Sequence, residues 1–114
     1  MIKIEIIKKV SGQPLKVVLT GHAGSGEYGH DVMCASVSTL SLNLLNGLEV
    51  LADYQPSYHL NQKEGGYLQI DFSDFEKAPQ QETARILYES FQLGVNQLGI
   101  DSPEFVQTKI ITQD

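Results

Sequence analysis

Along this chain the spacing of apolar residues switches four times between a period of two and one of three to four. A strand turns successive side chains to opposite faces, and a helix returns to one face every three or four residues, so these switches dictate two kinds of element in a set order. Residues 2–10 alternate in their first part, Ser11-Gly12-Gln13-Pro14 supplies a turn, and residues 15–20 resume a β-rich run. That is the pattern of a hairpin. Val37, Leu40, Leu44, Leu48 and Leu51 then mark one stripe of a helix spanning about residues 32–53. Its serines and threonines at 36, 38, 39 and 41 weaken intrinsic helicity, so packing must hold it.

A second hairpin is expected from residues 57–62 and 67–72, which flank Lys63-Glu64-Gly65-Gly66. Pro79 suits the first turn of a second helix, with Ala84, Leu87, Phe91, Val95 and Leu98 as its stripe and Gly99 as its end. Residues 104–112 read as a closing strand. The order ββαββαβ predicts an α/β (α+β) fold, a single-domain sandwich over residues 1–114 with two helices packed on one mixed or antiparallel sheet.

The formal net charge is -6, so neutralising phosphates with a basic face is a poor source of affinity and direct nucleic-acid binding is disfavoured. An acidic surface serves solubility and draws basic proteins or peptides. The N-terminus alternates instead of forming an apolar block with a small-residue cleavage site, and no run approaches the roughly 20 apolar residues of a membrane span. With one cysteine, an internal disulfide is impossible. A cytoplasmic setting without membrane association is expected.

That cysteine, Cys34, follows His22 and a glycine-rich stretch, Gly21-His22-Ala23-Gly24-Ser25-Gly26-Glu27-Tyr28-Gly29-His30-Asp31. A thiol is a strong nucleophile only as thiolate, which needs help to form near neutral pH. His22 is a candidate proton acceptor, and a helix starting at about Asp31 would place Cys34 in its first turn, among free backbone amides that favour negative charge. Asp31 is a preferred N-cap type, and its charge alone would oppose ionisation of the thiol. Ser38, four residues on, shares a helical face with Cys34 and can orient a ring nitrogen or a bound carbonyl, or bond back to its own helix. His30 can compete with His22 as base, although a loop histidine is usually solvated, and His59 reads as a structural or surface residue of a strand.

Other readings are weaker. A lone cysteine is often a small buried hydrophobe. His22, His30 and Cys34 lack paired ligand spacing for a metal, so no metal and no cofactor is expected. No Gly-Lys-Ser or Gly-Lys-Thr follows the glycines to make a phosphate loop, and a redox sensor lacks a resolving cysteine.

The motif Gly21-His22-Ala23, followed by Gly29-x-Asp31-apolar-apolar-Cys34-Ala35-x-Val37-Ser38, resembles the signature of the ribosomal-processing cysteine protease family (Prp, YsxB-like). The resemblance extends over nearly the whole chain in length and element order, but only this segment carries a specific motif. It implies a cytoplasmic bacterial endopeptidase, expected as a homodimer, that removes a short N-terminal extension from a large-subunit ribosomal protein. Aromatic residues would precede the cut and a small residue would follow it. Carried onto this chain, it makes Cys34 the nucleophile and His22 the general base. Asp31 and Ser38 fall at supporting positions, and Gly21 at one where a side chain would crowd the site. Gly24, Gly26 and Gly29 would belong to a loop that gates the substrate, and first-turn amides, including that of Cys34, are candidate oxyanion donors. The alternative is a non-catalytic assembly factor that binds a basic ribosomal protein through its acidic face.

Overall fold

Strand β1 (Ile2–Lys9) and β2 (Pro14–Thr20) are followed by helix α1 (Tyr28–Ala52), strands β3 (Ser57–Asn61) and β4 (Tyr67–Asp71), helix α2 (Gln81–Asp101) and β5 (Val106–Gln113). This computed structural model describes residues 1–22, 28–63 and 65–114. The five strands form one sheet in the order β3-β4-β2-β1-β5. Only β1 and β5 pair in parallel, and the other three pairings are antiparallel, so the sheet is mixed.

Strand sense explains where the helices go. Tracing the pairings, β2 and β3 run one way while β4 and β5 run the other, so α1 and α2 each connect two strands of like sense. The two crossovers travel in opposite directions across the sheet on opposite strand senses. Right-handed crossovers therefore place both helices on the same face. On that face the register stacks apolar rows: Ile4 opposes Leu19, which opposes Leu68, while Ile6 opposes Val17, which opposes Ile70. Val37, Leu44, Leu48 and Ala52 of α1 and Ala84, Tyr88, Phe91 and Val95 of α2 close over these rows in one core. The expected sandwich is thus the observed one.

The differences lie at helix ends. Helix α1 begins at Tyr28, a turn earlier than the sequence suggested, and its expected stripe residue Leu51 is exposed while Ser41 is buried. Ser41 satisfies its hydroxyl by donating to the carbonyl of Val37 at 2.8 Å, so the helix tolerates it inside. Pro79 precedes the N-cap of α2, Gln80, instead of sitting in the first turn. Gly99 does not end α2. It lies inside the helix where a Cβ would come within 3.0 Å of the Thr108 hydroxyl, so its small size serves helix-to-strand packing.

Helix α1 ends on Asp53, held at φ 53°, and the amide of Tyr54 reaches back to the carbonyl of Leu48 at 3.0 Å. Glycine is the residue preferred at such a left-handed position just past a helix. Asp53→Gly should relieve that strain and remove a negative charge from the helix C-terminus, stabilising the protein by about 0.5–1 kcal/mol. Thermal melts should show a rise of about 3 °C; a fall would contradict the strain.

Candidate active site

The site forms where β2 passes into α1. Strand β2 stops at Thr20, and Gly21 turns the chain at φ +77°. A Cβ there would lie 2.4 Å from the carbonyl oxygen of Met1, so glycine is demanded by both conformation and space. The crowding that the sequence assigned to the site thus falls on the backbone beside β1. The amide of Gly21 is tied to the carbonyl of Gly66 in the β3–β4 turn at 3.1 Å. This tie holds the following residue, His22, against the β3–β4 hairpin.

His22 is 7% exposed, and its Nδ1 finds no hydrogen-bond partner among the described residues. It looks into a cleft of about 120 Å³ bounded by Ser38, Ser41, Leu42 and Leu45 of α1 and by Tyr58, Leu60, Gln62 and Leu68 of the hairpin and its turn. Tyr58 and Leu60 alternate on an edge strand and remain exposed, which makes the far wall of the cleft apolar and open. That alternation was visible in the sequence, but only the sheet order turned it toward His22. Ser38 therefore lies beside the His22 cleft, and no hydrogen bond of its hydroxyl to a helix carbonyl is present.

Cys34 is in the second turn of α1 and 3% exposed. Its placement there corrects the expected first turn: free amides belong to the first turn of a helix, and Cys34 lies six residues past Tyr28, within the helical ladder. It is not an oxyanion donor of the kind expected. The thiol lies 3.7 Å from the carbonyl oxygen of Gly21. Its other polar neighbour is His30, with Nδ1 at 3.5 Å and Nε2 at 3.8 Å. The early start of α1 converts His30 from a presumed loop residue into one a single helical turn from Cys34, on the same face. No hydrogen bond joins Cys34 to His22.

Asp31 lies inside the first turn of α1 and is not its N-cap. Its Oδ1 is buried without a partner among the described residues. Desolvation by burial pushes the Cys34 thiol above its ordinary range, the Asp31 charge adds to that, and the Met1 amino group opposes it. Burial and Asp31 thus both work against the thiolate that a nucleophile needs.

Burial also lowers the pKa of His22. The unfolded chain then takes up this proton first as the pH falls below about 6.5, so folding stability decreases with falling pH. His22→Gln removes this contribution. Its thermal midpoint should drop less between about pH 7 and about pH 5 than that of the unaltered chain, and equal drops would contradict the effect.

Of the expected gate glycines, Gly24 and Gly26 lie outside the described residues. Gly29 is inside α1, where a Cβ would lie 2.6 Å from the Phe105 ring. Gly29→Val should thus cost about 1–3 kcal/mol of stability through displacement of that ring, contrary to a purely gating role. An unchanged melting temperature would dismiss the contact. His59 is exposed on β3 with its ring 6.1 Å from that of Tyr67, away from the thiol. Among the described residues, no cluster of three His, Cys, Asp or Glu side chains is arranged to hold a metal ion.

These features define a class: a two-helix, five-stranded sandwich whose single thiol sits on a helix against a Gly-His turn. The family model for the cysteine protease Prp matches residues 1–107, and the chain belongs to that family. The crystal structure of SMU.848 from Streptococcus mutans is similar at 49% identity, covering 99% of this chain and 96% of that one, with a TM-score of 0.91. The ribosomal processing cysteine protease Prp of Staphylococcus aureus (strain Mu50) is 33% identical over 70 residues, 61% of this chain and 65% of that protein. That of Bacillus subtilis (strain 168) is 31% identical over 75 residues, 66% of each chain. The matched part thus spans about two thirds of these relatives. An S. aureus Prp structure, described as an essential ribosomal processing protease in complex with a substrate peptide, shares the fold at 21% identity, 96% and 99% coverage and a TM-score of 0.79.

Proposed function

We propose that this chain is a cysteine endopeptidase that removes the N-terminal extension of a large-subunit ribosomal protein. The observation that carries the reading is the seating of the Cys34 sulfur against the carbonyl of Gly21, the residue before His22, in a chain of the Prp family. In the reaction, the Cys34 thiolate attacks the scissile carbonyl, protonated His22 donates to the departing amine, and water releases the acyl group from sulfur. The apolar cleft beside His22, walled by Leu42, Leu45, Tyr58 and Leu60, suits an aromatic side chain of the substrate next to the cut. The net charge of -6 favours approach of a basic ribosomal-protein segment and disfavours direct nucleic-acid binding.

The enzyme acts in the cytoplasm as a homodimer. Val50 and Leu51 are exposed on α1 and supply apolar surface of the kind a dimer would cover. No helix of the described residues is long and apolar enough to cross a membrane.

The test is incubation of the purified chain with a peptide spanning the extended N-terminus of the ribosomal protein, followed by mass spectrometry. A single cut between aromatic residues and a small residue, lost in His22→Ala, is the expected result. An intact peptide with folded enzyme would reject the proposal.

A further inference from the structure

His30 lies between Gly29 and Asp31 in the first turn of α1. It is also the histidine in contact with the nucleophile. A thiol has one proton to give, and its two polar neighbours differ in what they can do with it. The carbonyl of Gly21, at 3.7 Å, can accept a hydrogen bond but cannot carry the proton away. The ring of His30, with Nδ1 at 3.5 Å, can do both.

We propose that His30 is the proton acceptor of Cys34 in the free enzyme, and that this same proton leaves with the departing amine by way of His22. The S–H bond of Cys34 breaks, an N–H bond forms on the His30 ring, and the electron pair stays on sulfur. The product is a thiolate and an imidazolium one helical turn apart. This step rests on reading Cys34 as the nucleophile.

The surroundings explain why such a partner is needed. Asp31, on the same helix, and desolvation both oppose the thiolate, and the Met1 amino group at the start of β1 favours it. His22, across the Gly21 carbonyl, is kept toward its neutral form by burial and supplies little positive charge. His30 is half-buried at the helix surface, where an imidazolium keeps contact with water while touching the sulfur. A histidine beside a cysteine is a recurrent means of lowering thiol pKa.

The experiment is alkylation of Cys34, the sole cysteine, by iodoacetamide across the pH range, read by intact mass for the unaltered chain and for His30→Ala, His30→Gln and His22→Gln. The unaltered chain should show a reactivity plateau near neutral pH. Both His30 variants should lose it and react about tenfold more slowly near pH 7, rising only with direct thiol ionisation. His22→Gln should keep the plateau. Glutamine preserves size and hydrogen bonding but cannot hold the proton, so a His30→Gln profile matching the unaltered chain would reduce His30 to packing and overturn the proposal. Loss of the plateau in His22→Gln alone would overturn it too. Should His30→Ala fail to fold, His30→Gln decides. If the ribosomal peptide is not cleaved while the plateau still depends on His30, the proposed substrate fails and this assignment stands.

Discussion

Cys34→Ser should lower peptide hydrolysis by about 10³-fold or more while leaving the fold in place. Serine is close to cysteine in size, and the site is already tightly enclosed, with Cys34 in contact with Gly21 and His30. The difference is chemical. A hydroxyl ionises far less readily than a thiol, and burial together with the Asp31 carboxylate, which already raise the thiol pKa, would weigh still more heavily against an alkoxide. The measurement is a comparison of hydrolysis rates and thermal melts. Retained hydrolysis by the serine variant would remove Cys34 from the chemistry, whereas loss of activity with loss of folding would show only a packing role.

Phe72→Ala should cost about 3–5 kcal/mol, a large part of the stability of a domain this size. Phe72 is fully buried just past β4, and its ring meets those of Phe75 and Tyr88 edge-on at 6.0 and 5.7 Å. It joins the strand end, the 3₁₀ turn at Phe75–Lys77 and helix α2 in one cluster, so truncation leaves a cavity that several elements would have to move to fill. Its amide also continues the sheet by bonding the carbonyl of Leu15 at 2.9 Å. Denaturant titration should give an unchanged m-value with a much lower midpoint. A loss under about 1 kcal/mol would mean that the cluster collapses without a cavity.

Element order and sheet faces were readable because they rest on local periodicity. Ile2, Ile4 and Ile6 alternate and are buried, and Phe91 and Val95 repeat at helical spacing and are buried. Helix ends were less readable. The start of α1 lies in a glycine-rich stretch with no apolar stripe, so Asp31 looked like a cap when the helix had already begun at Tyr28. That one-turn displacement carries the main errors at the site: it moves Cys34 out of the first turn and brings His30 against the sulfur. The His30 to Cys34 spacing of four was a usable signal once a helix was assumed there. Gly21 and Gly29 read as functional in the sequence, but their close approaches are to Met1 and Phe105, contacts made by distant parts of the chain. Neither spacing nor composition encodes such contacts. The apolar wall from Tyr58 and Leu60 likewise depends on β3 taking the edge beside β4.

If one sulfur does the chemistry, a single titration shows it. Because Cys34 is the sole cysteine, substoichiometric alkylation can be counted by intact mass and plotted against residual cleavage of the ribosomal peptide. Activity should fall on a straight line that reaches zero when Cys34 is fully alkylated. Cleavage that continues in fully alkylated, folded protein would contradict it.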